Sequence, residues 1–284
     1  MVEGGEMIPI SWKLFRSGWC RHLERVTLQG GRWKIVDFPA LWALLEHPVH
    51  GPMVVDTGYA PRVLEACRKL PFWLYEKLTP MVIPAEETAE CQLAASGIEP
   101  GEVRNIFITH FHADHLGGLR DFPNATFWCS RDAWESIQGL RGFKALRKAF
   151  IPSLLPENFA ERLRLIDSPI QRLPNGLEGM DVWGDGSLFA IPLPGHARGQ
   201  LGLWFHDLQG RPILLAADAS WHTATIKEMR HPHSIAKFVT DDWTAFRNTI
   251  SMLHRLSRAH PETLILPFHC QHSLALRTVP QASS

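Results

Sequence analysis

The sequence lacks a net charge, because 29 lysine and arginine residues balance 29 aspartate and glutamate residues over 284 positions. A neutral chain has no global field that would draw it to nucleic acid or to an anionic membrane surface. Binding to a polyanion is therefore not favoured, and we expect neither a nucleic acid nor a membrane among its partners.

Long apolar runs and paired cysteines are also missing. No stretch is long and apolar enough to span a bilayer, and the N-terminal MVEGGEMIPISWKLF has two acidic residues before its first lysine and no apolar signal-peptide core. The five cysteines are odd in number and form no CxxC pair, which argues against a disulfide framework and a thiolate zinc site. These absences predict a cytoplasmic protein in a reducing compartment.

Disordered linkers, low-complexity tracts and internal repeats are likewise absent, so we expect a single domain over residues 1–284. Two strand-rich blocks are each followed by helices. Two packed mixed β-sheets covered by helices, an α/β architecture, would satisfy that order. We expect a helical insertion near 131–165, which is amphipathic and basic. Its basic residues form either a solvated charged face or a groove for an anionic ligand.

Hydrophobic periodicity predicts the individual elements. Residues 61–80 are expected to be helical despite Pro71, and their aromatic patch, Phe72, Trp73 and Tyr75, is either core or a mobile cover. Further helices are predicted at 86–97, from Asp114 onwards and at 242–258. Strands are predicted before residue 60 and at 103–109, 125–129, 163–167, 180–183, 187–193, 201–206, 212–217 and 263–266.

The stretch ITHFHADHLGGL, residues 108–119, concentrates metal-binding side chains at the end of a predicted strand. Alternate side chains of an extended strand point to one side, so His110 and His112 can reach one metal ion. Asp114 and His115 follow on the first turn of the next helix, where neighbours face directions about 100° apart. They could serve two positions of one site or two adjacent ions.

Three more residues follow predicted apolar strands at accessible loops: His196 in IPLPGHARG, Asp218 in ILLAADAS and His269 in LILPFHC. With the 108–119 stretch they supply five imidazoles and two carboxylates. That set suits two divalent ions, most simply two zinc ions per chain, with iron, manganese or cobalt left open. Two carboxylates and one hydroxide neutralise three of the four positive charges, so the residual charge could bind a carbonyl or phosphoryl oxygen in a hydrolytic centre.

The run HxHxDH with its following GG resembles the metallo-β-lactamase-fold hydrolase superfamily, as do the preceding DTG, the PGH turn, the later aspartate and the terminal histidine. The similarity spans roughly residues 30–272 and implies a four-layer αββα sandwich of two mixed β-sheets flanked by helices. It also implies roles for eight residues: His110, His112 and His196 at one zinc, Asp114, His115 and His269 at the other, Asp218 as the bridge, and Asp56 beneath the metals, orienting a ligand by a hydrogen bond.

Within that superfamily the motifs and the length resemble the N-acyl homoserine lactonase-like branch. The resemblance implies quorum quenching: a metal-bridging hydroxide opens the lactone ring of a small-molecule acyl substrate, and the catalytic Asp114 passes a proton to the leaving oxygen. That branch usually has a tyrosine three residues after the bridging aspartate, where this chain has Trp221. We place Trp221 with Phe72, Trp73 and Tyr75 in the predicted substrate pocket, which suggests an apolar acyl or aryl group.

Other activities stay open. The alternative is a thioesterase or a carboxylic ester hydrolase of the same fold, although glyoxalase II-like thioesterases usually have a tyrosine-containing C-terminal region and no tyrosine follows Asp218. Nuclease branches carry extra domains or a basic nucleic-acid surface, which we do not expect in this neutral chain. The β-lactamases of this fold are exported, whereas the N-terminal sequence predicts no signal peptide. A non-catalytic ligand-binding member is the hypothesis from another class, but no metal ligand is lost. A homodimer is also left open.

Overall fold

The computed structural model describes residues 8–276, and within them two β-sheets pack face to face. The predicted single domain, residues 1–284, extends beyond this range at both ends and stays a prediction. The segment MVEGGEM, on which part of the expectation about export rests, lies outside the described residues. Among residues 8–276, no helix combines the length and the apolar character that crossing a membrane requires.

The first sheet is mixed and contains seven strands. They are β1 (Ser11–Leu23), β2 (Ile35–His47), β3 (Gly51–Val55), β4 (Met81–Val82), β5 (Asn105–Phe107), β6 (Thr126–Ser130) and β7 (Leu163–Ile166). Their order is β4-β1-β2-β3-β5-β6-β7, antiparallel from β4 to β3 and parallel from β3 to β7. Because parallel strands end at the same edge, the loops after β3 and β5 emerge side by side.

The second sheet is also mixed and contains six strands. They are β8 (Ile170–Arg172), β9 (Glu178–Asp181), β10 (Leu188–Pro192), β11 (Leu201–His206), β12 (Pro212–Ala217) and β13 (Leu264–Pro267). The strands from β8 to β12 are antiparallel in sequence order, and β13 pairs parallel with β12 at the edge. The loops that follow β12 and β13 therefore also leave the sheet at one edge.

Helices cover the outer faces of both sheets. The α-helices are α1 (Glu24–Thr27), α2 (Pro61–Ala66), α3 (Trp73–Leu78), α4 (Ala89–Ala95), α5 (Ala113–Leu116), α6 (Arg131–Ile137), α7 (Gly142–Leu146), α8 (Thr223–Glu228), α9 (Trp243–Ala259) and α10 (Gln271–Leu276). Short 3-10 turns occupy Ala85–Glu87, Pro100–Glu102, Leu119–Asp121, Pro152–Leu154, Ala160–Arg162 and Ser234–Val239. In α9, Phe246, Ile250 and Leu253 recur at helical spacing and are buried, so one face of this helix packs inwards.

Alternation along the strands assigns the layers. Leu41 and Leu45 of β2 join Leu203 of β11 in a buried cluster between the sheets. The alternate residues Trp42 and Leu44 belong to another cluster, which contains residues of α2, α4 and α5. A third cluster packs the outer face of the second sheet against α8 and α9. The order helix, sheet, sheet, helix confirms the predicted αββα sandwich.

Several element bounds differ from the sequence prediction. The helix predicted over 61–80 is wrong in extent: α2 and α3 are separate, because Pro71, which has no backbone N–H, lies between them. The helix predicted at 86–97 begins only at Ala89, where the Thr88 hydroxyl accepts a hydrogen bond from the N–H of Cys91 at 3.4 Å. The segment 131–165 contains α6, α7, two 3-10 turns and most of β7.

Candidate metal centre

The seven predicted donor residues follow strands at one edge of the sandwich, five of them in loops and two, Asp114 and His115, in the short helix α5. The parallel pairs β3 with β5 and β12 with β13 bring their following loops together at that edge. Along the chain, His110, His112, Asp114 and His115 follow β5, His196 follows β10, Asp218 follows β12, and His269 follows β13.

The turn before His196 depends on Gly195. Its φ is +123°, and a Cβ at this position would lie only 2.0 Å from the backbone nitrogen of Phe246 in α9. Glycine alone tolerates both conditions. The turn therefore lies directly against α9, where the Gly195 carbonyl accepts a hydrogen bond from the N–H of Asp242 at 2.9 Å. This close approach brings the His196 ring to the other donors.

The first group of donors consists of His110, His112 and His196. His112 Nδ1 lies 3.0 Å from His196 Nε2. The His110 ring centroid is 4.5 Å from that of His112 and 5.1 Å from that of His196. One nitrogen of each ring lies within 4.8 Å of the others. Three convergent imidazole nitrogens are typical of a zinc site.

The second group consists of Asp114, His115 and His269. His269 Nε2 is 3.1 Å from Asp114 Oδ2, and His115 Nε2 is 3.9 Å from Asp114 Oδ1. Asp218 connects the groups: its Oδ2 is 3.3 Å from His196 Nε2 and 3.1 Å from His269 Nε2, and its Oδ1 is 3.3 Å from His115 Nε2. The structure thus brings all seven predicted donors into one cluster, called the centre below.

The donor atoms of the centre fit a pair of metal ions. Within residues 8–276, His110 Nε2, His115 Nε2 and Asp218 Oδ1 are buried without a hydrogen bond, which would cost roughly 1–3 kcal/mol each if nothing bound them. The closest donor separations, 3.0 to 3.3 Å, are near the distance of about 3.3 Å expected between neighbouring ligands of a tetrahedral zinc ion. Nitrogen and carboxylate oxygen suit zinc and other borderline divalent metals.

Hydrogen bonds behind the centre orient its rings. His115 Nδ1 donates to Asp56 Oδ2 at 2.7 Å, and the Thr109 hydroxyl donates to the same oxygen at 2.7 Å. The Thr109 oxygen is then free to accept from His110 Nδ1, which is 3.0 Å away. In their neutral forms both rings therefore hold a proton on Nδ1 and turn an Nε2 lone pair towards the centre, the arrangement by which an acceptor behind the ring prepares a histidine for metal binding.

His269 is oriented by the backbone. The carbonyl of Pro39 accepts a hydrogen bond from His269 Nδ1 at 2.8 Å, which again leaves Nε2 facing the centre. Sequence reasoning predicted Asp56 but missed Thr109 and Pro39. The one signal for Thr109 is that it precedes His110. Pro39 offered no signal, because its contact with His269 joins positions 230 residues apart.

Burial and charge together set the protonation of the centre. Burial opposes ionisation of Asp218, but His269 and His115 hold its pKa well below the usual value. Burial likewise opposes protonation of His115, yet the carboxylates of Asp56 and Asp218 raise its pKa to about 10. Burial also opposes protonation of His269, and here too Asp218 raises the pKa. His115 and His269 therefore favour positive charge, and metal ions would compete with protons for their nitrogens. Burial lowers the pKa of His110, His112 and His196, which favours their neutral form.

The four residues predicted for the substrate pocket lie in different places. Trp221 is buried against the centre, and its indole Nε1 donates a hydrogen bond to Asp218 Oδ2 at 3.4 Å. Tyr75 is buried in the core cluster outside the first sheet, and Phe72 is half-buried at the margin of that cluster. Trp73 is 44% exposed. Trp221 thus contacts a donor residue directly, whereas Phe72 lines a separate groove of about 540 Å³.

A further cluster of donors lies at the opposite end of β3 from Asp56. It consists of His47, His50 and Asp185, called the outer cluster below, with Nε2 of His50 3.0 Å and Nε2 of His47 3.6 Å from Asp185 Oδ2. The backbone N–H groups of Val49 and His50 donate to His47 Nδ1 at 3.1 and 3.0 Å. Nδ1 is thus the acceptor, and Nε2 carries the proton and has no lone pair for a metal. In this tautomer, His47 therefore offers no metal-binding nitrogen to the outer cluster.

Comparison with known proteins agrees with this geometry. Residues 35–257 match the sequence profile of the Metallo-beta-lactamase superfamily, a range that includes every donor of the centre except His269. The N-acyl homoserine lactonase AttM of Rhizobium radiobacter is 27% identical over 239 residues, which cover 82% of this chain and 85% of that protein. A probable metallo-hydrolase of Mycobacterium tuberculosis is 26% identical over 241 residues, which cover 80% of this chain and 73% of that protein.

Solved structures share the fold. An N-acyl homoserine lactone hydrolase, solved with the product N-hexanoyl-L-homoserine bound at its catalytic metal centre, superposes with a TM-score of 0.72 at 18% identity. The superposition covers 95% of this chain and 96% of that one. The shared architecture therefore extends over nearly the whole sequence.

Proposed function

This chain belongs to the metallo-beta-lactamase superfamily, and on that premise we propose that it is a dinuclear zinc hydrolase that opens lactones of the N-acyl homoserine lactone class. The observation that carries the proposal is the position of Asp218, whose two oxygens lie 3.1 to 3.3 Å from imidazoles of both donor groups. A carboxylate between two groups of three donors suits a centre that would hold two metal ions.

The proposal assigns each donor to one ion. The first ion would be held by His110, His112 and His196, the second by Asp114, His115 and His269, with Asp218 shared between them. When bound, the two ions would polarise a substrate carbonyl and lower the pKa of water to near 7. Iron, manganese or cobalt could occupy the same nitrogen and oxygen donors.

Asp114 is the residue that we propose for proton transfer. Its side chain is 13% exposed, so it reaches the surface of the centre, and its Oδ2 lies 3.1 Å from His269 Nε2. Burial opposes its ionisation, but His115 and His269 hold its pKa below the usual value. An ionised carboxylate can accept a proton and pass it to the leaving oxygen. In a lactone the leaving oxygen stays attached to the ring-opened product. One carboxylate, that of Asp114, can therefore both accept the proton and deliver it to that oxygen.

The lactone substrate is supported by the two relatives named for it, AttM and the solved lactone hydrolase. Opening such lactones would be quorum quenching, which we propose to occur in the cytoplasm. The second candidate is a thioesterase or carboxylic ester hydrolase of the same fold. Trp221 favours it, because the lactonase-like branch usually has a tyrosine at this position, and an indole N–H donates a hydrogen bond but cannot ionise as a phenol does.

The test measures zinc content by elemental analysis and hydrolysis of a substrate panel on one preparation. The panel contains acyl-homoserine lactones, simple γ- and δ-lactones, aryl esters and acyl thioesters. We expect close to two zinc ions per chain and turnover of lactones, with kcat reduced about 10²- to 10⁴-fold in Asp114→Asn. Turnover of esters or thioesters alone would favour the second candidate. A metal-free protein inert to the whole panel would refute both.

A further inference from the structure

Trp221 lies against the centre, and the proposed reaction assigns it no step. The residue is only 9% exposed, and its indole Nε1 donates to Asp218 Oδ2 at 3.4 Å. The same oxygen lies 3.3 Å from His196 Nε2 and 3.1 Å from His269 Nε2. The indole therefore contacts the side chain that both donor groups share.

The Trp221 ring is confined by its neighbours. It stands edge-on to His196, with ring centroids 5.7 Å apart and an interplanar angle of 88°. It also packs against Phe246 of α9 at 5.7 Å, and Trp243 packs on Phe246 in turn at 5.8 Å. Because buried side chains are close-packed, the indole cannot turn its N–H away from Asp218 without displacing His196 or α9.

The chemistry of the indole limits what it can do at this position. Its N–H is a donor only, so it neither accepts a hydrogen bond nor delivers a proton to a leaving group. A carboxylate oxygen has two lone pairs, and the bond from Nε1 occupies one of those on Asp218 Oδ2. The second lone pair of Oδ2 and both lone pairs of Oδ1 remain available to metal ions. The bond thus selects one orientation of the shared carboxylate.

We propose that Trp221 is a positioning residue that holds the carboxylate of Asp218 through its indole N–H and thereby sets the affinity of the centre for its metal ions. The inference rests on the proposed function only in requiring that the centre bind metal. It does not depend on which substrate is hydrolysed. Groups that orient a metal ligand typically change metal affinity about 10- to 100-fold when they are removed.

Two substitutions separate the hydrogen bond from the shape of the ring. Trp221→Phe removes the donor, and Trp221→Tyr differs from it only by a hydroxyl that can donate again. We expect zinc affinity, measured by competition with a chromophoric chelator, to fall about 10- to 100-fold in the Phe variant and to recover in large part in the Tyr variant. Trp243→Phe is the matched control, because it removes the neighbouring indole of the same aromatic stack, and it should leave the affinity unchanged.

Wild-type zinc affinity in Trp221→Phe would overturn the inference. Equal losses in the Phe and Tyr variants would also overturn it, because they would assign the effect to ring shape. If the Phe variant fails to fold, solvent exchange of the Trp221 indole N–H is measured instead in ¹⁵N-labelled wild-type protein. The loss of its signal in the Tyr variant assigns it. We expect protection from exchange, and rapid exchange would contradict the hydrogen bond. A protein inert to lactones whose Phe variant loses zinc affinity would refute the proposed substrate and support this inference.

Discussion

The centre and the outer cluster contain the same residue types, and they differ in which nitrogen of a histidine ring is free, as His115 and His47 show. In the outer cluster, two backbone N–H groups occupy Nδ1 of His47, so the protonated Nε2 faces Asp185. In the centre, Asp56 accepts the Nδ1 proton of His115, and Nε2 faces Asp218. The partner on the far side of the ring therefore decides whether a histidine close to an aspartate can bind a metal.

The carboxylates of the two clusters also differ in their exposure and in their hydrogen bonds. The side chain of Asp185 is 25% exposed, and its Oδ1 already accepts hydrogen bonds from the backbone and the hydroxyl of Ser187. The side chain of Asp218 is 3% exposed, and its Oδ1 has no hydrogen bond within residues 8–276. Water and local donors satisfy the first carboxylate, whereas burial makes the second costly unless a cation joins it.

Asp218→Asn should have the largest effect, because it removes the charge that both donor groups of the centre share. We expect the zinc content to fall from a pair of ions to one or fewer, and hydrolysis to fall by about 10³-fold or more. Elemental analysis and steady-state kinetics on one preparation measure both, and circular dichroism checks the fold. Full zinc content with undiminished turnover would remove Asp218 from the centre and with it the contrast to Asp185.

Asp56→Asn and Asp185→Asn apply one chemical change to the two clusters. Asp56 is fully buried and accepts hydrogen bonds from His115 and from the backbone and hydroxyl of Thr109, so an amide there must turn a donor towards a donor. We expect Asp56→Asn to lower zinc affinity about 10- to 100-fold and the free energy of unfolding by about 1–3 kcal/mol. Asp185→Asn should leave the affinity unchanged. Chelator competition and urea unfolding provide the measurements. Equal responses of the two variants would contradict the difference in metal binding between the centre and the outer cluster.

His50→Ala should have the smallest effect. The ring is partly exposed, lies 3.0 Å from Asp185 Oδ2 and stacks on Trp183 at 4.6 Å, and such contacts near the surface contribute up to about 1 kcal/mol. We expect no change in the zinc content of protein that has been loaded with excess zinc and desalted. A third zinc ion in the wild type that disappears in His50→Ala would establish metal binding in the outer cluster and contradict the assigned tautomer of His47.

Sequence patterning located β9 to β13 of the second sheet more closely than β1 to β4 of the first, and it missed β8. The bounds of β11 and β12 agree with the prediction, because their residues are apolar and buried almost without interruption. The pattern before residue 60 predicts strands without locating β1. The register of β1 shifts between Arg16 and Trp19, where Gly18 has a φ of +106° and a Cβ would lie 2.3 Å from the carbonyl oxygen of Val82. Such a bulge interrupts the two-residue period on which strand prediction depends.

The candidate centre was also predicted only in part from the sequence. The HxHxDH run and the positions of His196, Asp218 and His269 after strands indicated a common site, because loops that follow parallel strands meet at one edge. No pattern indicated that Thr109 would connect Asp56 with His110, or that the indole of Trp221 would donate to Asp218. Nor did the sequence indicate that Trp73 would be 44% exposed while Tyr75 is buried, because both lie on one short helix whose orientation is set by packing.

The sequence by itself determined which donor side chains this protein has and that each of them follows a strand, because residue type and hydrophobic periodicity are local properties. The tertiary structure decided which nitrogen of each ring faces the centre. Asp56 meets Thr109 across 53 positions, and Pro39 meets His269 across 230. Such contacts exist only after the two sheets have packed and fixed the ring orientations, so the same residue types became a candidate metal centre at one end of β3 and a hydrogen-bonded cluster at the other.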